Sequence, residues 1–182
     1  MRNQLINTLP LTIALALVVP EARAFQHYNH QAGQKSYWSP SHALRAVVIY
    51  RKPHGYGEAE SVVKIVSVSG GLLAVRDYRS CGGGNGQTVV KGDWTPDGRF
   101  FIFSTESSGG HSPWHSPTYV YSHLRGKFFS LDGFVGAITT PEFRLMFPSS
   151  VRTRTLAAGD VTVDLCRIEQ KLTVVSERIT SD

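Results

Sequence analysis

Cysteine is scarce in this chain of 182 residues: only Cys81 and Cys166 are present. They form no CxxC pair and show no Cys/His metal-ligand spacing, which excludes a disulfide-dense scaffold and a zinc finger. In an oxidising compartment a single bridge between Cys81 and Cys166 can form, and their spacing leaves open whether they meet. Long apolar runs are missing too. Leu9 to Val19, broken only by Pro10 and Thr12, falls well short of the roughly 20 residues that span a bilayer. The formal charge of +5 is scattered, without a Lys/Arg block. Nucleic-acid binding wants a basic stripe interleaved with aromatics, and none is present. Outside the N-terminus no stretch longer than about ten residues carries a clean helical period.

The N-terminus has the parts of an export signal. Arg2 supplies the positive charge, Leu9–Val19 the short apolar core, and Ala22-Arg23-Ala24 small residues at the two positions a signal peptidase reads. Cleavage is expected after Ala24, leaving Phe25 to Asp182 as one domain, long enough to bury a core. Its charge is 17 basic against 13 acidic side chains, or +4. The expected compartment is the bacterial periplasm or the medium, and no later segment is long and apolar enough to cross a membrane.

What fills the rest is alternation at period two, rich in β-branched and aromatic residues and punctuated by Gly and Pro. The expected strands are 46–50, 62–68, 72–78, 88–91, 100–105, 118–122, 128–131, 144–147, 151–156, 161–167 and 172–176. An all-β domain of antiparallel sheets follows. The strands also repeat. Trp94-Thr95-Pro96-Asp97-Gly98-Arg99 opens into Phe100-Phe101-Ile102-Phe103. Thr140-Pro141-Glu142-Phe143-Arg144 opens into Leu145-Met146-Phe147. Trp38-Ser39-Pro40 leads, two residues longer, through Arg45 into Ala46-Val47-Val48-Ile49. Each opening is followed by a strand pair, giving three units near 38–78, 88–132 and 139–176. In each, Pro presets the turn; in the middle and last units Asp or Glu accepts nearby backbone hydrogen bonds, and Gly98 supplies the positive φ of a tight hairpin.

The middle unit, with Thr118-Tyr119-Val120-Tyr121 after it, resembles the blade repeat of the TolB-type, WD40-like β-propellers. That pattern is Trp-Ser-Pro-Asp-Gly-Lys/Arg, an apolar strand, then Leu-Tyr-Val and a hairpin. The first unit keeps Trp38 and Pro40 but has Ser41-His42 for Asp-Gly; the last keeps Pro141 and Glu142 but has Thr139 for Trp and Phe143 for Gly. The resemblance covers most of 38–176 and implies blade-like sheets, which mark a fold and not an activity. Propellers close with about 4–8 blades, so three units imply either an open stack or closure of six blades in a homodimer.

Chemistry concentrates in Ser107-Ser108-Gly109-Gly110-His111-Ser112-Pro113-Trp114-His115-Ser116-Pro117, longer than a plain hairpin needs. An aromatic and two imidazoles on a proline-restricted loop suit a contact surface. Trp114 is expected as the apolar anchor, with His111, Ser112 and His115 as hydrogen-bonding groups. A Zn²⁺ or Cu²⁺ site would have to mix His111 and His115 with His27 and His30; it is not favoured, because Pro113 breaks the helical spacing, and no cofactor is expected. Serine hydrolysis would draw on Ser107, Ser108, Ser112 or Ser116 with these histidines and Asp97, but no Gly-x-Ser-x-Gly elbow exists. Glu58 and Glu60 read as solvated, and Gly82-Gly83-Gly84-Asn85-Gly86 as a flexible linker, lacking the ending of a phosphate loop. The leading expectation is an exported, non-enzymatic binding module with its contact loop at 109–117 and an envelope protein or small ligand as partner. The alternatives are a small exported hydrolase or metal-assisted enzyme on the same loop, and a structural envelope component.

Overall fold

The computed structural model describes residues 33–52, 59–81, 84–110 and 114–179. Eleven strands among these form three antiparallel sheets. The first contains β1 (Gly33–Trp38), β2 (Leu44–Arg51), β3 (Glu60–Ser67) and β4 (Leu72–Asp77) in chain order. The second repeats that meander with β5 (Gln87–Trp94), β6 (Phe100–Ser107), β7 (Thr118–Ser122) and β8 (Lys127–Ser130). A one-turn helix, α1 (Asp132–Val135), precedes the third sheet: β9 (Arg144–Met146), β10 (Ser150–Thr155) and β11 (Gly159–Asp164). Helix α2 (Leu165–Ile179) follows.

The second sheet lies between two cores. Phe101 and Phe103 face the first sheet, among Leu44, Ala46, Val48, Val63 and Ile65. Phe100 and Ile102 face the other way, among Ile138, Val151, Leu165 and Ile168 of the third sheet and its helix. All four β6 side chains are fully buried. A strand covered on both faces reads as an unbroken apolar run rather than an alternation, which is why Phe-Phe-Ile-Phe stands at this point of the sequence. Each such side chain contributes about 1.5–3 kcal/mol by leaving water. Rings extend the first core: Phe101 stacks on Phe103 at 5.6 Å, Trp94 tilts onto Phe101 at 5.4 Å, and Trp94 Nε1 donates to the Tyr37 carbonyl at 2.9 Å.

The proline turns obey their residue chemistry. Gly98 takes φ +71° and its N–H donates to the Thr95 carbonyl at 2.8 Å. Asp97 Oδ1 accepts from Thr95 Oγ1 (2.6 Å) and the Arg99 N–H (3.1 Å). The first unit makes the same turn without insertion. His42 takes φ +57°, its N–H donates to the Ser39 carbonyl at 2.8 Å, and the Leu44 N–H donates to Ser39 Oγ at 3.1 Å, as Phe100 N–H does to Thr95 Oγ1. The two extra residues read in the first opening are therefore absent; β2 begins at Leu44, two residues before the expected start.

The third unit departs from the pattern. Its turn between paired strands is Phe147-Pro148-Ser149, so Thr140-Pro141 lies ahead of β9 and not between strands. The strand expected at 172–176 and the hairpin before it are helix α2. Leu165, Ile168 and Leu172 recur at helical spacing and face the second core. Asp164 Oδ1 caps the helix by accepting the Cys166 N–H at 2.9 Å. The run Thr173-Val174-Val175 supplied the strand-like signal, and docking of the preceding apolar stripe overrides that preference. Strand β1 was not expected, since Gly33–Trp38 is mostly exposed and polar at the sheet edge.

The ends of the stack are unlike. The outward face of the first sheet is mixed, with Trp38, Val47, Val62 and Val75 set among Arg45, Lys64 and Asp77. That of the third carries Arg152 and Arg154, both paired with Asp160.

Candidate functional site

The loops after β4 and β6 meet at one end of the sheets, and a buried carboxylate organises them. Glu60 opens β3 and is 3 % exposed. Its Oε1 accepts from Ser80 Oγ (2.7 Å), the Gly86 N–H (2.7 Å) and Ser108 Oγ (3.2 Å), and its Oε2 from the Ser80 N–H (2.9 Å). Burial pushes this carboxyl upward, but the donors together outweigh it and hold it below the usual carboxylate range. Glu60 is thus no solvated residue. Nor is Gly86 part of a loose linker: it is buried, and a Cβ there would lie 2.4 Å from the Tyr78 carbonyl oxygen.

Beside this anchor opens a cleft of about 370 Å³. Asn85, Gly86 and Gln87 form one wall; Ser107 ends β6, and His115 and Pro117 belong to the segment after it. Tyr119, Ser130 and Asp132 complete the lining. His115 Nε2 sits 2.8 Å from Asp132 Oδ1. Asp132 also accepts the Thr118 N–H (2.8 Å, on Oδ2) and the Ile138 N–H (3.1 Å, on Oδ1), so it is held from three sides and in turn fixes the imidazole plane. Trp114 stacks on that imidazole, centroids 5.4 Å apart and planes 20° apart, with 57 % of its surface exposed. Opposite, Gln87 Oε1 accepts from Thr105 Oγ1 at 2.9 Å and Tyr119 OH at 3.4 Å.

Of the expected site residues, the structure brings His115 into the cleft and Trp114 against it. His111, Ser112, His27 and His30 lie outside the described residues. Ser108 is spent on Glu60 and the Gly86 carbonyl, and Ser116 is buried. Asp97 cannot join His115 in a triad. It precedes β6 while His115 follows it, and eight strand residues separate the two ends by roughly 26 Å. Asp97 instead holds the opposite end together, accepting from Ser149 Oγ at 2.7 Å. Among the described residues, His115 has Asp132 as its side-chain partner, and no group of three His, Cys, Asp or Glu side chains is placed to hold a metal ion.

The two thiols are both free. Cys81 is exposed beside Ser80 at the cleft end. Cys166 starts α2 at the other end, 3.2 Å from an Arg99 guanidinium nitrogen and 3.3 Å from Ser149 Oγ. A bridge needs Cα atoms within about 7 Å, and the length of β6 separates them.

Sequence reasoning missed Glu60, Gln87 and Asp132. Glu60 had one legible signal, a carboxylate directly ahead of Ser61-Val62-Val63, where a charge entering a buried strand needs partners. Asp132-Gly133 reads as an ordinary turn. No protein-family profile, curated protein or solved structure matches the chain.

Proposed function

We propose that this protein is an exported, non-enzymatic binding module, built on an open stack of propeller-blade-like sheets, whose contact surface is the cleft end of the second sheet. The observation that carries the reading is Trp114. A large aromatic more than half exposed, braced by an imidazole that Asp132 orients, is a preordered anchor of the kind that dominates recognition surfaces. The paired, equally built turns at Ser39–His42 and Thr95–Gly98 support the blade-like repeat. Three sheets among the described residues of one chain fall short of the about four to eight blades that close a propeller, which favours the open form for the single chain.

The test compares purified protein with the Trp114→Ala/His115→Ala double variant for retention of components from a cell-envelope fraction. The double variant should keep its unfolding midpoint within about 2 °C, since Trp114 is exposed and Asp132 keeps the Thr118 and Ile138 N–H donors, and lose retention by at least about tenfold. Equal retention by both proteins refutes the assignment of the surface. Turnover of model ester, peptide or glycoside substrates that disappears in the double variant refutes the non-enzymatic reading.

A further inference from the structure

We propose that the cleft takes a neutral oligosaccharide, an inference that rests on the binding reading above and names the ligand class. The lining supports it by what it holds and what it omits. Among the described residues no Lys or Arg lines the cleft, and the one acid there, Asp132, already accepts from His115, Thr118 and Ile138. An anionic ligand would meet the Asp132 carboxylate, and the one described lining side chain able to carry positive charge, His115, is already turned to that carboxylate; a cationic ligand would compete with three donors already in place. An apolar ligand would strand the amides and hydroxyls without partners. What remains is an uncharged molecule dense in hydroxyl groups.

The polar groups are of the type that grips such a molecule. The Asn85 side-chain amide and the Ser130 hydroxyl have no hydrogen-bond partner among the described residues and line the cleft. Gln87 has its carbonyl oxygen turned toward Thr105 and Tyr119, which leaves the amide N–H donors for the ligand. A carboxamide offers a donor and an acceptor a fixed distance apart, the spacing that vicinal hydroxyls present. The volume of about 370 Å³ lies at the small end for ligand sites of roughly 300–1,000 Å³. It suits one sugar ring, and the chain of sugars would continue past His115 onto Trp114. The exposed indole then packs against the C–H face of the next ring, a face that is apolar even though the sugar's rim is not.

The experiment titrates the protein with maltotriose, cellotriose and triacetylchitotriose by calorimetry and by amide and indole NMR shifts, with trigalacturonate and inorganic phosphate alongside. At least one neutral trisaccharide should bind and shift Gln87, Ser130 and the Trp114 indole. Trp114→Ala and Gln87→Ala should each weaken that binding about tenfold or more; Trp114→Ala should keep the wild-type unfolding midpoint, while Gln87→Ala, which also removes the acceptor of Thr105 and Tyr119, should lower it by a few degrees and is titrated well below it. Binding that neither substitution weakens, preference for trigalacturonate or phosphate, or silence from all three neutral sugars overturns the proposal. If the sugars are silent while envelope retention is still lost in the Trp114→Ala/His115→Ala variant, the binding reading stands and only the ligand class falls. If both fail, both fall.

Discussion

Replacing Glu60 by Gln changes one oxygen into an NH₂ group and removes a charge, with almost no change in volume. The amide oxygen can take the Oε1 position, which receives Ser80 Oγ, the Gly86 N–H and Ser108 Oγ. The NH₂ then faces the Ser80 N–H, formerly 2.9 Å from Oε2, and donor meets donor. One charge-assisted bond is lost, about 2 kcal/mol, and three others lose their charge assistance in part. For a domain of this size that lowers the thermal midpoint by about 4–8 °C. The same carboxyl gives a pH signature. Its folded pKa lies below its ordinary value near 4.5, so its stabilisation is present above that value and is lost as pH falls through the folded pKa. Wild type should therefore lose stability in acid more steeply than Glu60→Gln, and the two midpoints should converge. Scanning calorimetry of both proteins from pH 3 to pH 7 reads each effect. Midpoints within 1 °C of each other at pH 7, with parallel acid limbs, refute the claim that this carboxylate anchors the loops.

Gly86→Ala places a methyl group 2.4 Å from the Tyr78 carbonyl oxygen and 2.6 Å from Glu60 Cδ; the backbone must shift, and urea denaturation should show a loss of about 1–3 kcal/mol. An unchanged midpoint would mean that the Asn85–Gly86 wall of the cleft is plastic. Leu165→Ala empties a fully buried position at the start of α2 and should cost about 2–5 kcal/mol. Helical circular dichroism and tryptophan fluorescence should fall together, because α2 is part of the second core; loss of helix alone, well before the sheets unfold, refutes that.

How much was legible depended on whether the signal was local. The run of strands from β2 to β8 was, because hairpin turns and alternating faces act over a few residues: Thr95-Pro96-Asp97-Gly98 closes on itself through its own side chains. Helix α2 was not, since Leu165, Ile168 and Leu172 make a three-residue stripe that only the second core turns into a decision. The loop after β6 stood out by composition, yet its orienting partner, Asp132, comes from the far side of β7 and β8.

Local chemistry alone determined that most of this chain pairs as antiparallel strands in repeated units, with turns where Pro, Asp and Gly allow them. Only the tertiary structure decided which polar side chains matter. Glu60 and Asp132 look like any surface acid until folding brings donors to them from residues 6 to 48 positions away. Hydrophobic patterning is written along the strand because every apolar side chain seeks the same thing, removal from water. A buried carboxylate depends on particular donors at hydrogen-bond distance, and distance across sheets is set by packing, not by sequence order.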